Sequence, residues 1–343
     1  MRLPALLTIL LTLALVLGVA CSKSAEDGGS GGSIEVGYLT NGVDPFWDVA
    51  AAGARTAAKE FDVRVDVQMP AKGIADQKRM IEAMLARGVD GIAISPVDTK
   101  NQISQINEAA GRTNVITHDS DSPDSERLCF VGMDNYLAGR TAGRLIEEAM
   151  PDGGSVMLFV GRLEQLNAQQ RRQGIIDELL DRPEQSLASL EVDAPDADLS
   201  NGKYTILSTR TDNYDRGRAK SNAEDAIAAH PDLGCMVGLF GYNTPACVAA
   251  VEEAGKAGSI RIVGFDELDG TLRGIENGTV HATVTQQPYE YGYHSVRILA
   301  ALARGDRSVL PDGGFEKIDI HIVNKDNLVE FETELKKLKG QGN

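Results

Sequence analysis

The chain has 343 residues, 42% of them apolar and 24% charged, with a formal net charge of −16. That length suits one large domain or two ordinary ones, and the apolar share is enough to bury a real core. So acidic a chain repels phosphate backbones, which argues against a nucleic-acid partner, and an anionic membrane surface repels it as well unless it is covalently anchored.

Residues 1–21, MRLPALLTILLTLALVLGVAC, carry one early cation, Arg2, followed by an apolar run over 5–20. Sixteen mostly apolar residues are short for a spanning helix and suit the core of a signal peptide. The ending Val19, Ala20, Cys21 resembles a bacterial lipoprotein signal, in which residues 1–20 are removed and Cys21 becomes the lipidated N-terminus. Gly18 stands where such signals usually have leucine; an uncleaved anchor helix is the alternative. The stretch after Cys21, SKSAEDGGSGGS, completes a flexible tether over 21–33. Residues 28–32 match G-x-S-x-G, but low complexity cannot supply the strand-to-helix elbow that motif needs.

From residue 34 onward, Val- and Ile-rich runs alternate with Ala- and Leu-rich helical stretches. Strands are predicted over 34–39, 63–68, 91–95, 115–117 and 129–132, then 155–160, 204–208, 236–240, 260–265 and 281–285. Near-continuous apolar strands separated by helices give an α/β fold with parallel sheets covered on both faces. Ten strands exceed one usual sheet, so two doubly wound parallel-sheet lobes are expected. Residues 182–202 are rich in Pro, Asp and Ser and read as a surface insertion.

Open parallel sheets bind ligands beyond the carboxyl ends of their strands. The residues found there are Asp44, Phe46 and Trp47; Ser95 and Asp98; His118, Asp119 and Asp121. The second half adds Asn167 and Arg171, Tyr214, Asn243, Asp266 and Gln286. Carboxylates, amides, an arginine and flat aromatics converging from two lobes fit a sugar, whose hydroxyls need acceptors and donors and whose C–H faces stack on rings. Taken singly, each residue has a plainer reading. Asp44, Asp119 and Asn243 suit helix caps, Phe46 and Trp47 suit the core, and Arg172, beside Arg171, suits a solvated helix face.

Cys129, Cys235 and Cys247 lie in apolar stretches and are expected as buried small side chains, with a Cys235–Cys247 disulfide as the alternative. The five histidines have no metal-ligand spacing, and neither H-E-x-x-H nor a Walker A sequence is present. The segment DADLSNGK over 196–203 lacks the glycine and glutamate of a calcium loop. No catalytic residue, metal or cofactor is expected.

The stretches NGVDPFW, GIAISPVD, VITHDSD, NAQQRRQG, TDNYDRGRAKSNAEDAIAAHPDL, IVGFDE and ATVTQQP, in that order, resemble the periplasmic sugar-binding proteins of the ribose-binding type. These are the solute receptors of bacterial ABC sugar importers. The resemblance covers roughly residues 34–324. It implies a type I periplasmic binding protein: two lobes, 34–133 plus 287–317 and 134–286 plus 318–343, with hinge crossings near Asp134 and Asn135, after Gln286, and near 317–320. It further implies a monosaccharide or related polyol ligand and an ABC permease as partner, for a monomer in the periplasm or cell envelope that meets the membrane only through its lipid anchor.

By the same resemblance Asp44 and Asp119 accept from hydroxyls, Phe46, Trp47 and Tyr214 stack on the ring, and Arg171 donates to its oxygens. Asn243, Asp266 and Gln286 complete the second lobe's polar set. Ser95 replaces the asparagine usual in ribose binders, and Asp119-Ser120-Asp121 replaces Asp-Arg, so ribose itself is not implied. HDSD is similar instead to receptors for rhamnose and for a furanose-like autoinducer. A receptor feeding a sensor kinase or chemotaxis system is the alternative role. The sugar-responsive repressors that share this fold carry a helix-turn-helix where this chain has its signal and tether.

Overall fold

A computed structural model describes residues 33–195 and 197–340 of the chain. The expected signal segment, Cys21 and the tether up to residue 32 lie outside the described residues.

The first half runs β1 (Glu35–Leu39), α1 (Pro45–Glu60), β2 (Arg64–Gln68), α2 (Ile74–Arg87), β3 (Gly91–Ile94), α3 (Ile103–Ala110), β4 (Asn114–His118) and β5 (Phe130–Gly132). The chain then crosses to a second sheet through α4 (Asn135–Ala149), β6 (Gly154–Val160), α5 (Leu166–Leu179), β7 (Leu199–Ser200) and β8 (Tyr204–Thr211). It continues with α6 (Arg216–Ala229), β9 (Leu233–Gly238), α7 (Asn243–Glu253), β10 (Arg261–Phe265), α8 (Asp269–Asn277) and β11 (Ala282–Thr285). Next, α9 (Pro288–Ala303) and β12 (Phe315–Lys317) return to the first sheet; β13 (His321–Asn324) and α10 (Leu328–Gly340) belong with the second.

The first sheet is ordered β12-β5-β4-β3-β1-β2 and the second β13-β11-β10-β9-β6-β8-β7. All pairs are parallel except β11–β13 and β7–β8 at the ends of the second sheet. The backbone therefore passes between sheets at 133–134, 286–287 and 318–320. The short strands β7, β12 and β13 were not expected from the sequence. Each is an edge element with at most one buried residue, so no apolar run marks it.

One helix pair in each lobe packs backbone to backbone. A Cβ on Gly53 of α1 would lie 1.9 Å from the Tyr289 carbonyl oxygen, and one on Gly292 of α9 would lie 1.9 Å from that of Ala50. In the second lobe, Gly139 of α4 and Gly174 of α5 meet in the same way, 2.2 Å from the Arg171 carbonyl oxygen and 2.1 Å from that of Tyr136. Only glycine permits such an approach. The second contact fixes α5, and with it the start of the helix that carries Asn167 and Arg171.

The three described cysteines are free and buried, so Cys235 and Cys247 form no disulfide. Burial pushes the Cys235 thiol up to about 12, consistent with an unreactive core side chain.

Candidate functional site

A cavity of about 700 Å³ lies between the lobes and is lined by the loops after the strands of both sheets. In the first lobe Asp44, Phe46, Trp47 and Asp119 reach it; in the second, Asn167, Arg171, Tyr214, Asp266 and Gln286.

Asp119 and Asp266 occupy matching places. Each follows the last residue of a strand, β4 or β10, in the left-handed region, at φ 57° and 64°. The backbone N–H of each donates to the adjacent strand, Asp119 to Val131 at 3.0 Å and Asp266 to Val284 at 2.9 Å. Aspartate tolerates that backbone better than most residues, and the turn carries each carboxylate into the cleft. Tyr214 is also left-handed, at φ 65°, an uncommon conformation for a bulky residue and one that clusters at functional sites.

Asp119 is held by Ser95 Oγ at 3.1 Å and Asn41 Nδ2 at 3.3 Å. Both bonds fall on Oδ2, and no described residue donates to Oδ1. Burial raises its carboxyl to about 6, against the opposing pull of the Arg171 charge and the Ser95 bond; the Asp266 charge adds to the rise. Burial likewise pushes Asp266 upward, opposed by Arg171 and by the Gln286 Nε2 bond at 2.8 Å.

Arg171 is 1% exposed. Its Nε donates to Asn135 Oδ1 at 2.9 Å and its Nη1 to the Leu239 carbonyl at 2.8 Å, and the guanidinium lies 4.8 Å over the Phe265 ring. Two nitrogens are thus committed to the protein, and among the described residues no carboxylate lies within ion-pair distance of the third. That leaves Nη2 for a ligand oxygen.

The walls are aromatic. Phe46 and Trp47 meet edge to face at 4.8 Å on one side, while Tyr214 stacks on Phe240 at 6.1 Å on the other. Beneath Trp47, Tyr38 stacks on His118 at 4.2 Å, with its hydroxyl 3.1 Å from Nδ1 and the Leu39 carbonyl 3.2 Å from Nε2. Burial lowers His118 to about 3, so it is a neutral ring locked between two partners.

Three expected ligand residues do not line the cavity. Ser95 lies behind Asp119 as its donor. Asn243 is buried one layer back, accepting from the Phe240 N–H at 3.2 Å and donating to Asp212 at 2.7 Å; Asp212 in turn accepts from Tyr242 and from the Tyr214 N–H. Asn243 thereby sets the aromatic wall. Asp121 is a correction: Arg127 grips it through Nε at 2.5 Å and Nη2 at 2.6 Å, with Thr117 Oγ1 at 2.6 Å. A carboxylate so fully paired points its charge at a loop arginine and not at the cleft.

Arg172 is a second correction. It is buried, with donors on Thr209 Oγ1 and on the carbonyls of Asp193 and Ala194, because residues 193–194 fold back over α5. The cleft also takes Asn41, Arg162, Arg216, Phe240 and Tyr242, which the sequence reading missed. Phe240 and Tyr242 follow β9, so the strand-end rule covers them; the cap-like Asn243 stood out in their place.

If Asp119 receives a ligand hydroxyl as a carboxylate, acidification must oppose binding. Its folded pKa lies near 6, so affinity should hold at pH 7 and fall about tenfold by pH 5, where most of the group is protonated. Calorimetry across that range tests it, and an unchanged affinity would remove Asp119 from recognition.

A family model described as "periplasmic binding protein domain" matches residues 38–307. A D-ribose/D-allose-binding protein of Pseudomonas aeruginosa is 25% identical over 284 residues, 79% of this chain and 82% of the relative. The ribose import binding protein of Escherichia coli is 23% identical over 310 residues, covering 90% and 95%. Among solved structures, an ABC-transporter solute-binding protein from Burkholderia graminis in complex with D-arabinose superposes with a TM-score of 0.76 at 28% identity, covering 86% of this chain and 96% of the other. A glucose-galactose binding protein from Geobacillus stearothermophilus gives 0.76 at 26% identity, covering 87% and 99%.

Proposed function

The chain belongs to the periplasmic binding protein domain family, and on that premise we propose that it binds a monosaccharide or related polyol and delivers it to the permease of an ABC importer by lobe closure. It is a binding protein and not an enzyme.

The observation that carries the sugar reading is the pairing of Asp119 and Asp266 across one cavity with the free edge of Arg171, between walls of Phe46, Trp47 and Tyr214. Hydroxyls donate to the two carboxylates, ring and hydroxyl oxygens accept from Arg171, and Asn167 and Gln286 take the remaining polar edges. The aromatic walls cover the C–H faces. The similarity to a relative named for ribose and allose, and to a solute-binding protein in complex with D-arabinose, supports the same ligand class. The three connections at 133–134, 286–287 and 318–320 serve as the hinge.

The family implies a periplasmic setting. Export by residues 1–20 and lipid attachment at Cys21 complete this reading, and mass spectrometry of the mature N-terminus tests it: an intact Met1 would refute it. No helix among the described residues is long and apolar enough to cross a membrane.

A thermal-shift screen across pentoses, hexoses, deoxysugars and polyols tests the ligand class. A sugar present at about 100 times its Kd should stabilise the protein by about 2.7 kcal/mol, because it binds only the folded state. A flat response to the whole panel would sink the proposal.

A further inference from the structure

Two helix N-termini from different lobes face each other at the mouth of the cleft. Asp44 caps α1, its Oδ1 accepting from the Phe46 N–H at 3.1 Å. Its Oδ2 accepts from Nη2 of Arg216, the first residue of α6, at 3.3 Å. Both oxygens of Asp44 therefore already carry a bond, one within its lobe and one across the cleft. Arg216 is steadied by the Tyr242 ring, 5.9 Å from its guanidinium.

The lips are complementary at a second point. Asp98, after β3, is pushed up by burial but brought below its ordinary value by bonds from Asn101 and Lys100 and by the charge of Arg162. Arg162 follows β6 in the opposite lobe and lies over the Tyr214 ring.

We propose that Asp44 and Arg216 form a latch that holds the lobes together over the cleft mouth, so that Asp44 serves closure and not recognition of the sugar. The proposal rests on the reading that the lobes open and close, but it does not depend on which ligand binds. The pair is partly solvated, with 67% of the Arg216 side chain and 33% of the Asp44 side chain exposed. Its contribution is therefore modest and sensitive to salt.

The test needs no ligand. Spin labels on Ala83→Cys in α2 and Asp225→Cys in α6, in a Cys21→Ser background, report the interlobe distance by double electron–electron resonance; the three remaining cysteines are buried and stay unlabelled. The ratio of closed to open protein should fall about two- to fivefold between about 20 mM and about 1 M NaCl, where the Debye length shrinks to about 3 Å. Asp44→Asn keeps a capping side chain but loses the charge, and Arg216→Glu reverses the other partner. Both should lower the closed population at low salt; Asp44→Asn should abolish the salt response and Arg216→Glu should invert it, since salt then screens a repulsion, while Arg216→Lys should retain most of the wild-type response. If Arg216→Glu or Asp44→Asn keeps the wild-type distances and salt response, the latch is wrong. A flat thermal-shift screen, by contrast, would remove the sugar reading and leave this result standing.

Discussion

Trp47→Ala should destabilise the protein by about 3–5 kcal/mol, the usual cost of truncating a buried large aromatic, and lower its melting temperature by roughly 10 °C. The indole is 4% exposed and packs among Val36, Tyr38, Ala50 and Ile116, with its edge on His118 at 5.7 Å. It also lines the cleft, so the core reading and the cleft-wall reading of this residue hold together. Affinity should fall too, by about 1–3 kcal/mol for the lost apolar contact. Trp47 is the only tryptophan, so emission from the intact protein should change saturably as sugar enters. Calorimetry showing full-strength binding beside flat emission would exclude contact between indole and ligand, and a variant melting within a degree of wild type would exclude the core role.

Neighbouring arginines should differ in their effect on affinity. Arg171→Ala should weaken sugar binding by roughly ten- to a hundredfold, the range for losing a charge-assisted hydrogen bond in a closed cleft. Arg172→Ala should leave the cleft chemistry in place and cost on the order of 3 kcal/mol of stability. It strands the Asp193 and Ala194 carbonyls and loosens residues 193–194 from α5. Calorimetry and denaturant melts on both variants decide the matter. A stable Arg172→Ala protein with weakened binding would reverse the two roles.

The side-by-side burial of these arginines shows where local pattern stops. Consecutive helix positions point about 100° apart, so a single-faced helix buries one of the two and solvates the other. Here α5 is covered on both sides, by α4 through the Gly139–Gly174 contact and by residues 193–194 folding back from the insertion. No periodicity within α5 announces that second cover. Asp121 is similar. Its charge was legible, but whether it faced the cleft or Arg127 depended on the path of a loop that contains Pro123.

The sequence by itself determined the alternation of strands and helices, because apolar runs and helical periodicity are local properties of the chain. It determined the capped start of α1, written in Asp44 and Pro45, and the chemistry offered at the strand ends, since the strand-end rule needs only the order of elements. The tertiary structure alone decided which of those side chains share a surface. It set Asp119 and Asp266 in one cavity, withdrew Ser95 and Asn243 to supporting positions, and turned Asp44 toward Arg216, 172 residues away. Edge strands such as β12 and β13 were decided there as well, because their pairing partners and not their own apolar content hold them. Propensity acts along the chain, whereas charge pairing and burial act through space.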